Sequence, residues 1–202
     1  MRLYCGIDLH SNNVFMVVLD ESDRSVVRCR LPNDLAVILS TLEPHRAALV
    51  GIAVESTFNW YWLVDGLMEA GHRVHLANPG AMQQYSGLKH ADDGSDARWL
   101  AHMLRIGVLP EGYIYPREQR GLRDLLRRRT CLVQQKTATV LGLQNLVSRS
   151  TGRNASGRTL GTMDPADLQA QFVDANVSLA AASTRTVLDC LEAEVGRLEK
   201  EV

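Results

Sequence analysis

Short apolar runs separated by polar turns dominate the first eighty residues. Leu3–Leu9, Asn13–Leu19 and Val26–Leu31 are β-rich and closely spaced, a pattern that predicts a β-meander. An amphipathic stretch follows, with Asn33 as its expected N-cap and about Leu42 as its end. Ala47–Val54 predicts a buried strand that ends at Glu55. Asn59 to Ala70 predicts a helix closed by Gly71, and Arg73–Ala77 predicts a fifth strand stopped by Asn78 and Pro79. Another helix is expected over Ser95–Leu104.

The resulting order is βββαβαβα. Three antiparallel strands followed by helix-linked strands predict an α/β domain with a mixed five-stranded sheet and flanking helices, the ribonuclease-H-like layout. Past Pro116 the period changes. From Glu118 to Val147, Leu122, Leu125, Leu126, Leu132, Val133, Val140, Leu143, Leu146 and Val147 form one broad apolar stripe of a long helix. Residues 148–163, rich in Ser, Thr, Gly and Arg, are expected to be a mobile loop. Leu188, Leu191, Val195, Leu198 and Val202 then alternate in steps of three and four, an a/d seam for a coiled coil. The division expected is 1–116 for the sheet domain and 117–202 for basic helix, loop and coiled-coil helix. With no C-cap signal at Val202, the chain is expected to be a fragment of a longer protein.

Composition excludes more than it assigns. With 46% hydrophobic and 22% charged residues, the chain has a soluble globular composition. Its apolar stretches, Leu49–Val54 among them, fall far short of the ~20 residues that cross a bilayer. Cys5, Cys29, Cys131 and Cys190 are scattered and form no zinc or disulfide pattern, so a reducing cytoplasm is the expected compartment. The net charge of −1 conceals a strong asymmetry. Residues 117–158 hold ten basic side chains (Arg117, Arg120, Arg123, Arg127, Arg128, Arg129, Lys136, Arg149, Arg153 and Arg158) against Glu118 and Asp124. The tail from 159 holds three basic residues against eight acids. Such a basic block is the footprint of a nucleic-acid partner, although a solvated helix face has the same composition.

Four acids carry the candidate chemistry: Asp8 in the first strand, Glu55 at the end of the fourth, and Asp93 with Asp96 at a helix start. The predicted sheet makes the first and fourth strands neighbours, so Asp8 and Glu55 would stand side by side. Carboxylates a few ångströms apart repel by up to ~4 kcal/mol per pair at an effective dielectric near 20. A cluster therefore needs protons or cations, and all-oxygen ligation suits Mg²⁺ or Mn²⁺. Two such ions would serve phosphodiester cleavage or strand transfer. Taken singly, each acid has an ordinary explanation: Asp8 as a turn residue, Glu55 as a cap, Asp93 and Asp96 as helix-start acids.

The strings GIDLH at 6–10, AVESTFNWYWLVDGL at 53–67, NP at 78–79 and QYSGLKHADDGSDARWLAHMLR at 84–105 together resemble the DEDD transposases of insertion sequences of the IS110 type. The resemblance implies a RuvC-like N-terminal domain in which Asp8, Glu55, Asp93 and Asp96 bind catalytic Mg²⁺ or Mn²⁺. One residue more than usual separates Lys89 from its first Asp; spacing back from Asp96-Ala97 selects Asp93 and leaves Asp92 adjacent. Further implications are a coiled coil leading to a C-terminal domain with a catalytic serine, no serine here matching that motif, DNA as substrate, and a structured guide RNA as partner. The basic segment, with Lys89, would hold nucleic acid, and the coiled coil would pair either with the basic helix or with another subunit, making a homo-oligomer.

Other signals are weaker. GRNASGRT at 152–159 nearly spells a P-loop, but Arg158 stands where Lys is required and a helix precedes it. His10, His90, Lys89 and Arg98 lie near the proposed acids and would suit a phosphate, although the ordinary reading is that they are surface or loop residues. Trp60, Tyr61 and Trp62 offer stacking faces, but consecutive helical positions diverge, so at least one belongs to the core. Tyr113 and Tyr115 carry the same ambiguity. Two rivals remain: an actin-like or sugar-kinase ATPase of the same core, which lacks its second glycine-rich loop here, and a non-catalytic nucleic-acid-binding coiled-coil scaffold.

Overall fold

A computed structural model describes residues 1–84 and 96–202 in full, together with the backbone of Ser95. The chain divides into two compact units, Met1–Ile114 and Tyr115–Val202.

In the first unit β1 (Leu3–Leu9), β2 (Asn13–Leu19), β3 (Ser25–Pro32), β4 (Leu49–Glu55) and β5 (Val74–Ala77) form a five-stranded sheet of order β3-β2-β1-β4-β5. β2 runs antiparallel to β1 and β3, while β4 is parallel to β1 and β5. This is the ribonuclease-H-like topology, and the three-strand meander stands where the sequence places it. Helix α1 (Leu35–Leu42) begins one residue later than expected. Asp34, not Asn33, is the N-cap, its side chain accepting from the backbone of Ala36 and Val37. The Asn33 amide instead donates to the His10 carbonyl at 3.1 Å. β4 starts at Leu49 because Pro44 opens a 3-10 turn over Glu43–Ala48. α2 spans Tyr61–Glu69, and Asn78 with Pro79 both stops β5 and caps a short helix, α3 (Pro79–Met82).

Strand side chains alternate between faces. Cys5, Ile7, Leu9, Ile52, Val54 and Leu76 pack with α1 and α2 through Ile38, Leu42, Trp60, Leu63, Val64 and Leu67, so Trp60 is the core member of the aromatic triplet. The opposite face, which includes Gly6 and Ala53, takes α4 (Ser95–Ile106). Val17 and Leu19 bury Ala97 and Ala101, and Ala53 and Ala77 bury Leu100. Small residues make this approach possible. A Cβ on Gly6 would lie 2.0 Å from the Ala97 carbonyl oxygen and 2.6 Å from the Ala101 nitrogen.

In the second unit α5 (Arg117–Thr151) and α8 (Ala175–Glu199) run antiparallel. Leu132 packs with Val195 and Leu198, and Leu143, Leu146 and Val147 pack with Ala181. Leu191, Val195 and Leu198 of the a/d seam thus pack on α5 of the same chain, one of the two pairings the sequence allows. Residues 148–163 are also not a loop throughout. They contain the last turn of α5, its Gly152 cap at φ 70°, and α6 (Gly157–Thr162), capped by Ser156. Leu160 is buried, together with Leu168 of α7 (Pro165–Gln169). Burying one such leucine is worth about 1.5–3 kcal/mol, and Gln144 and Arg185 add hydrogen bonds to the Ala155, Leu160 and Met163 carbonyls, so tertiary contacts order a segment whose composition otherwise reads as mobile. Among the described residues no helix is long and apolar enough to cross a membrane.

The glycines of α4's seat and of α5 should respond in opposite directions. Gly6→Ala is expected to destabilise by about 1–3 kcal/mol or more through overpacking against backbone. Gly142→Ala, where an added Cβ meets nothing within 4 Å, should stabilise by about 0.5–1 kcal/mol. Urea unfolding midpoints at constant slope check both.

Candidate active site

Parallel pairing sets the geometry of the acids. Ile7 is in register with Val54, so the next residues, Asp8 and Glu55, emerge together at one end of adjacent strands. Both fall on the α4 face by alternation, two residues beyond Gly6 and Ala53. Asp8 is buried to 5% exposure, unusual for a carboxylate. His10 Nε2 lies 3.2 Å from its Oδ2. The His10 carbonyl in turn accepts from the amides of Asn33 and Asn59, each at 3.1 Å, which pins the turn after β1 to the starts of α1 and α2.

Asp96, in the first turn of α4, completes what the described residues show. It lines one cleft of about 150 Å³ with Glu55, Pro79, Met82, Gln83, Trp99 and Leu100. Asp92, Asp93, Lys89 and His90 lie outside the described residues. Among the described residues no group of three or more His, Cys, Asp or Glu side chains is arranged to hold a metal ion. What is present is a register-matched pair, Asp8 and Glu55, and a cleft shared by Glu55 and Asp96.

Arg98 is elsewhere. Instead of standing by to meet a phosphate, it pairs with Asp23 in the β2–β3 turn and donates to the Asp23 carbonyl at 3.0 Å. His102 Nδ1 lies 2.7 Å and Arg105 Nε 3.1 Å from the other Asp23 oxygen. Asp23 takes a left-handed φ of 65°, a conformation Asp tolerates better than most residues. Asp20 supports the turn by accepting from Ser22 N at 2.8 Å and Arg24 N at 3.0 Å. Partial burial pushes the Asp23 carboxyl up, but the hydrogen bond and charge of His102, with Arg98 and Arg105, outweigh it and hold the group below its ordinary value of 3.8. Sequence reasoning missed this clasp, although Arg98, His102 and Arg105 sit at the i, i+4, i+7 spacing of one helix face.

The basic residues of α5 divide into two kinds. Arg120 is buried at 7% exposure and its Nε donates to the Tyr115 carbonyl at 2.8 Å, so it holds the helix start and is no open contact. Arg123 lies over the Tyr115 ring at 4.8 Å. Arg129 pairs with Glu199, and Lys136 Nζ lies 3.0 Å from Glu192, both latching α5 to α8. Arg117, Arg127, Arg128, Arg149, Arg153 and Arg158 are exposed.

A family model for DEDD transposases of the IS110 type, described as a transposase, matches residues 5–150. The chain belongs to this family. The match spans both the acid-bearing sheet and α5. No curated protein gives a significant match. Among solved structures the chain is similar to T. thermophilus RuvC in complex with a Holliday junction substrate, at 16% identity and a TM-score of 0.43, over 55% of this chain and 100% of that one.

The transposase chain should lose stability in acid through Asp23. A depressed carboxyl contributes stability above its unfolded value, and that contribution fades as pH falls through the lower folded value. Asp23→Asn should cost about 1–3 kcal/mol at pH 7. The difference from the parent should shrink below pH 4, as read from denaturation midpoints across pH.

Proposed function

We propose that the sheet unit is the metal-dependent cleavage centre of a DNA transposase. Asp8, Glu55, Asp93 and Asp96 hold Mg²⁺ or Mn²⁺, and the substrate is a DNA phosphodiester. The observation that supports this most is the Ile7–Val54 register, which delivers Asp8 and Glu55 side by side at one sheet end. The donor set fits the ion. It is all carboxylate oxygen, as hard divalent cations require, and Asp8 is a buried acid in an otherwise apolar strand. A bound ion would supply charge neutralisation at the phosphate and favour formation of the attacking oxyanion.

The chain's own residues do the positioning. Adjacent strands in register hold the backbones of Asp8 and Glu55 side by side at one sheet end. His10 lies against Asp8 and orients it. α4 carries Asp96 to the cleft that Glu55 lines, and the Asp23 clasp fixes that helix to the β2–β3 turn. The exposed arginines of α5 and of residues 152–158 form the surface for nucleic acid, including the structured guide RNA. Contacts there are chiefly to phosphate, and therefore strongly salt-dependent. Four free cysteines fit a reducing cytoplasm.

Strand cleavage of element-end DNA, assayed with and without Mg²⁺, tests the centre. Asp8→Asn and Glu55→Gln should each lower the rate by about 10²–10³-fold, a few kcal/mol of lost stabilisation, with DNA binding retained. Full activity in both variants would establish the scaffold reading instead. For the basic surface, Arg127→Ala with Arg128→Ala should reduce the slope of log affinity against log salt by about 2 and leave the unfolding midpoint unchanged. Arg120→Ala should do the reverse.

A further inference from the structure

The cleft beside the acids has a chemistry of its own. Pro79, Met82, Trp99 and Leu100 give it an apolar and aromatic lining, Gln83 adds an amide, and Glu55 and Asp96 complete it. Its volume of about 150 Å³ suits one planar ring system. Trp99 is unusually well supported. Its ring stacks on His102 at 5.5 Å and 12°, and His102 Nδ1 is held 2.7 Å from Asp23.

We infer that this cleft receives a single unstacked nucleobase of the DNA strand, with Trp99 as its stacking wall. The inference rests on the proposed function, in which the neighbouring acids handle a DNA phosphate. With Glu55 and Asp96 engaged at the phosphate, the walls that remain are apolar, aromatic and amide, so the neutral base is the part of a nucleotide that fits. Its own phosphate is then within one nucleotide's reach of the carboxylates. Every base has a π-face, so such a wall is tolerant of sequence. Because the indole is already fixed by His102 and Asp23, little ordering cost accompanies stacking. The enzyme therefore favours positions where a base is unpaired or weakly stacked, since those cost least to extract.

The test uses the full chain with Ca²⁺ in place of Mg²⁺, so that binding is read without cleavage. Single-stranded oligodeoxynucleotides carry one abasic residue, moved through each position in turn. The expected result is one position where the abasic residue weakens binding to the parent by about 5- to 100-fold. Trp99→Ala should weaken binding to intact DNA by a similar factor and be indifferent to the abasic residue. Trp99→Phe should retain part of the penalty. 2-Aminopurine at that position should be quenched by the parent and not by Trp99→Ala. The proposal is overturned if no position shows a penalty, if the penalty persists in Trp99→Ala, or if Trp99→Ala loses intact and abasic DNA equally. Loss of cleavage in Asp8→Asn without any abasic penalty overturns the cleft and leaves the reading of the acids standing.

Discussion

The contact of α4 with the sheet at Gly6 is the constraint on which the rest of the first unit depends. Only a residue without a Cβ allows the Ala97 carbonyl so close to β1, and Ala53, Ala97 and Ala101 keep neighbouring positions small. Two residues further along the same face the side chain is a carboxylate in both β1 and β4. An apolar helix surface cannot cover Asp8 and Glu55 without a large desolvation cost, so the helix has to present a polar end there. The first turn of a helix, with its unpaired backbone N–H groups, meets that need. The positive end of the helix dipole offsets acid repulsion by about 0.3–1 kcal/mol. Repulsion between carboxylates a few ångströms apart reaches up to ~4 kcal/mol per pair, so the dipole offsets only part of it.

The second unit resolves the charge asymmetry in a different way from the one its composition implies. The basic block and the acidic tail lie on antiparallel helices of one hairpin, and part of each neutralises the other through Arg129 with Glu199 and Lys136 with Glu192. Exposed pairs of this kind add little stability, about 0–1 kcal/mol each. Their larger consequence is register, because they fix which turn of α8 meets which turn of α5 while Leu132, Val195 and Leu198 supply the burial. The residues left for a polyanion are those outside the seam.

Elements with a clean period were legible. The meander, the strand ending at Glu55 and the long helix all follow from alternation or a broad apolar stripe, and the strand order makes Asp8 and Glu55 neighbours before any coordinates are seen. What composition hid was local. A single buried Leu160 and a Ser156 cap turn part of a Ser- and Gly-rich segment into α6. Asn33 and Asp34 are both good caps on paper. Asp34 wins while the Asn33 amide is held by the His10 carbonyl, a partner 23 residues away that no local rule contains. Arg98 was misplaced for the same reason, since its partner Asp23 lies on another element.

α4 also shows how one short helix serves three neighbours at once. Ala97 and Ala101 sit on the sheet, Asp96, Trp99 and Leu100 line the cleft, and Arg98, His102 and Arg105 reach the β2–β3 turn. Positions three and four apart share a face at about 100° per residue, so these sets are fixed relative to one another by the helix itself. A rotation that improved any one contact would spoil the other two. The sheet contact seats the helix through Ala97, Leu100 and Ala101, and the clasp adds a second constraint on its roll, since Asp23 pairs with three side chains spread over two turns. The turn that carries Asp23 therefore helps to hold Asp96 at the cleft, through residues with no chemistry of their own.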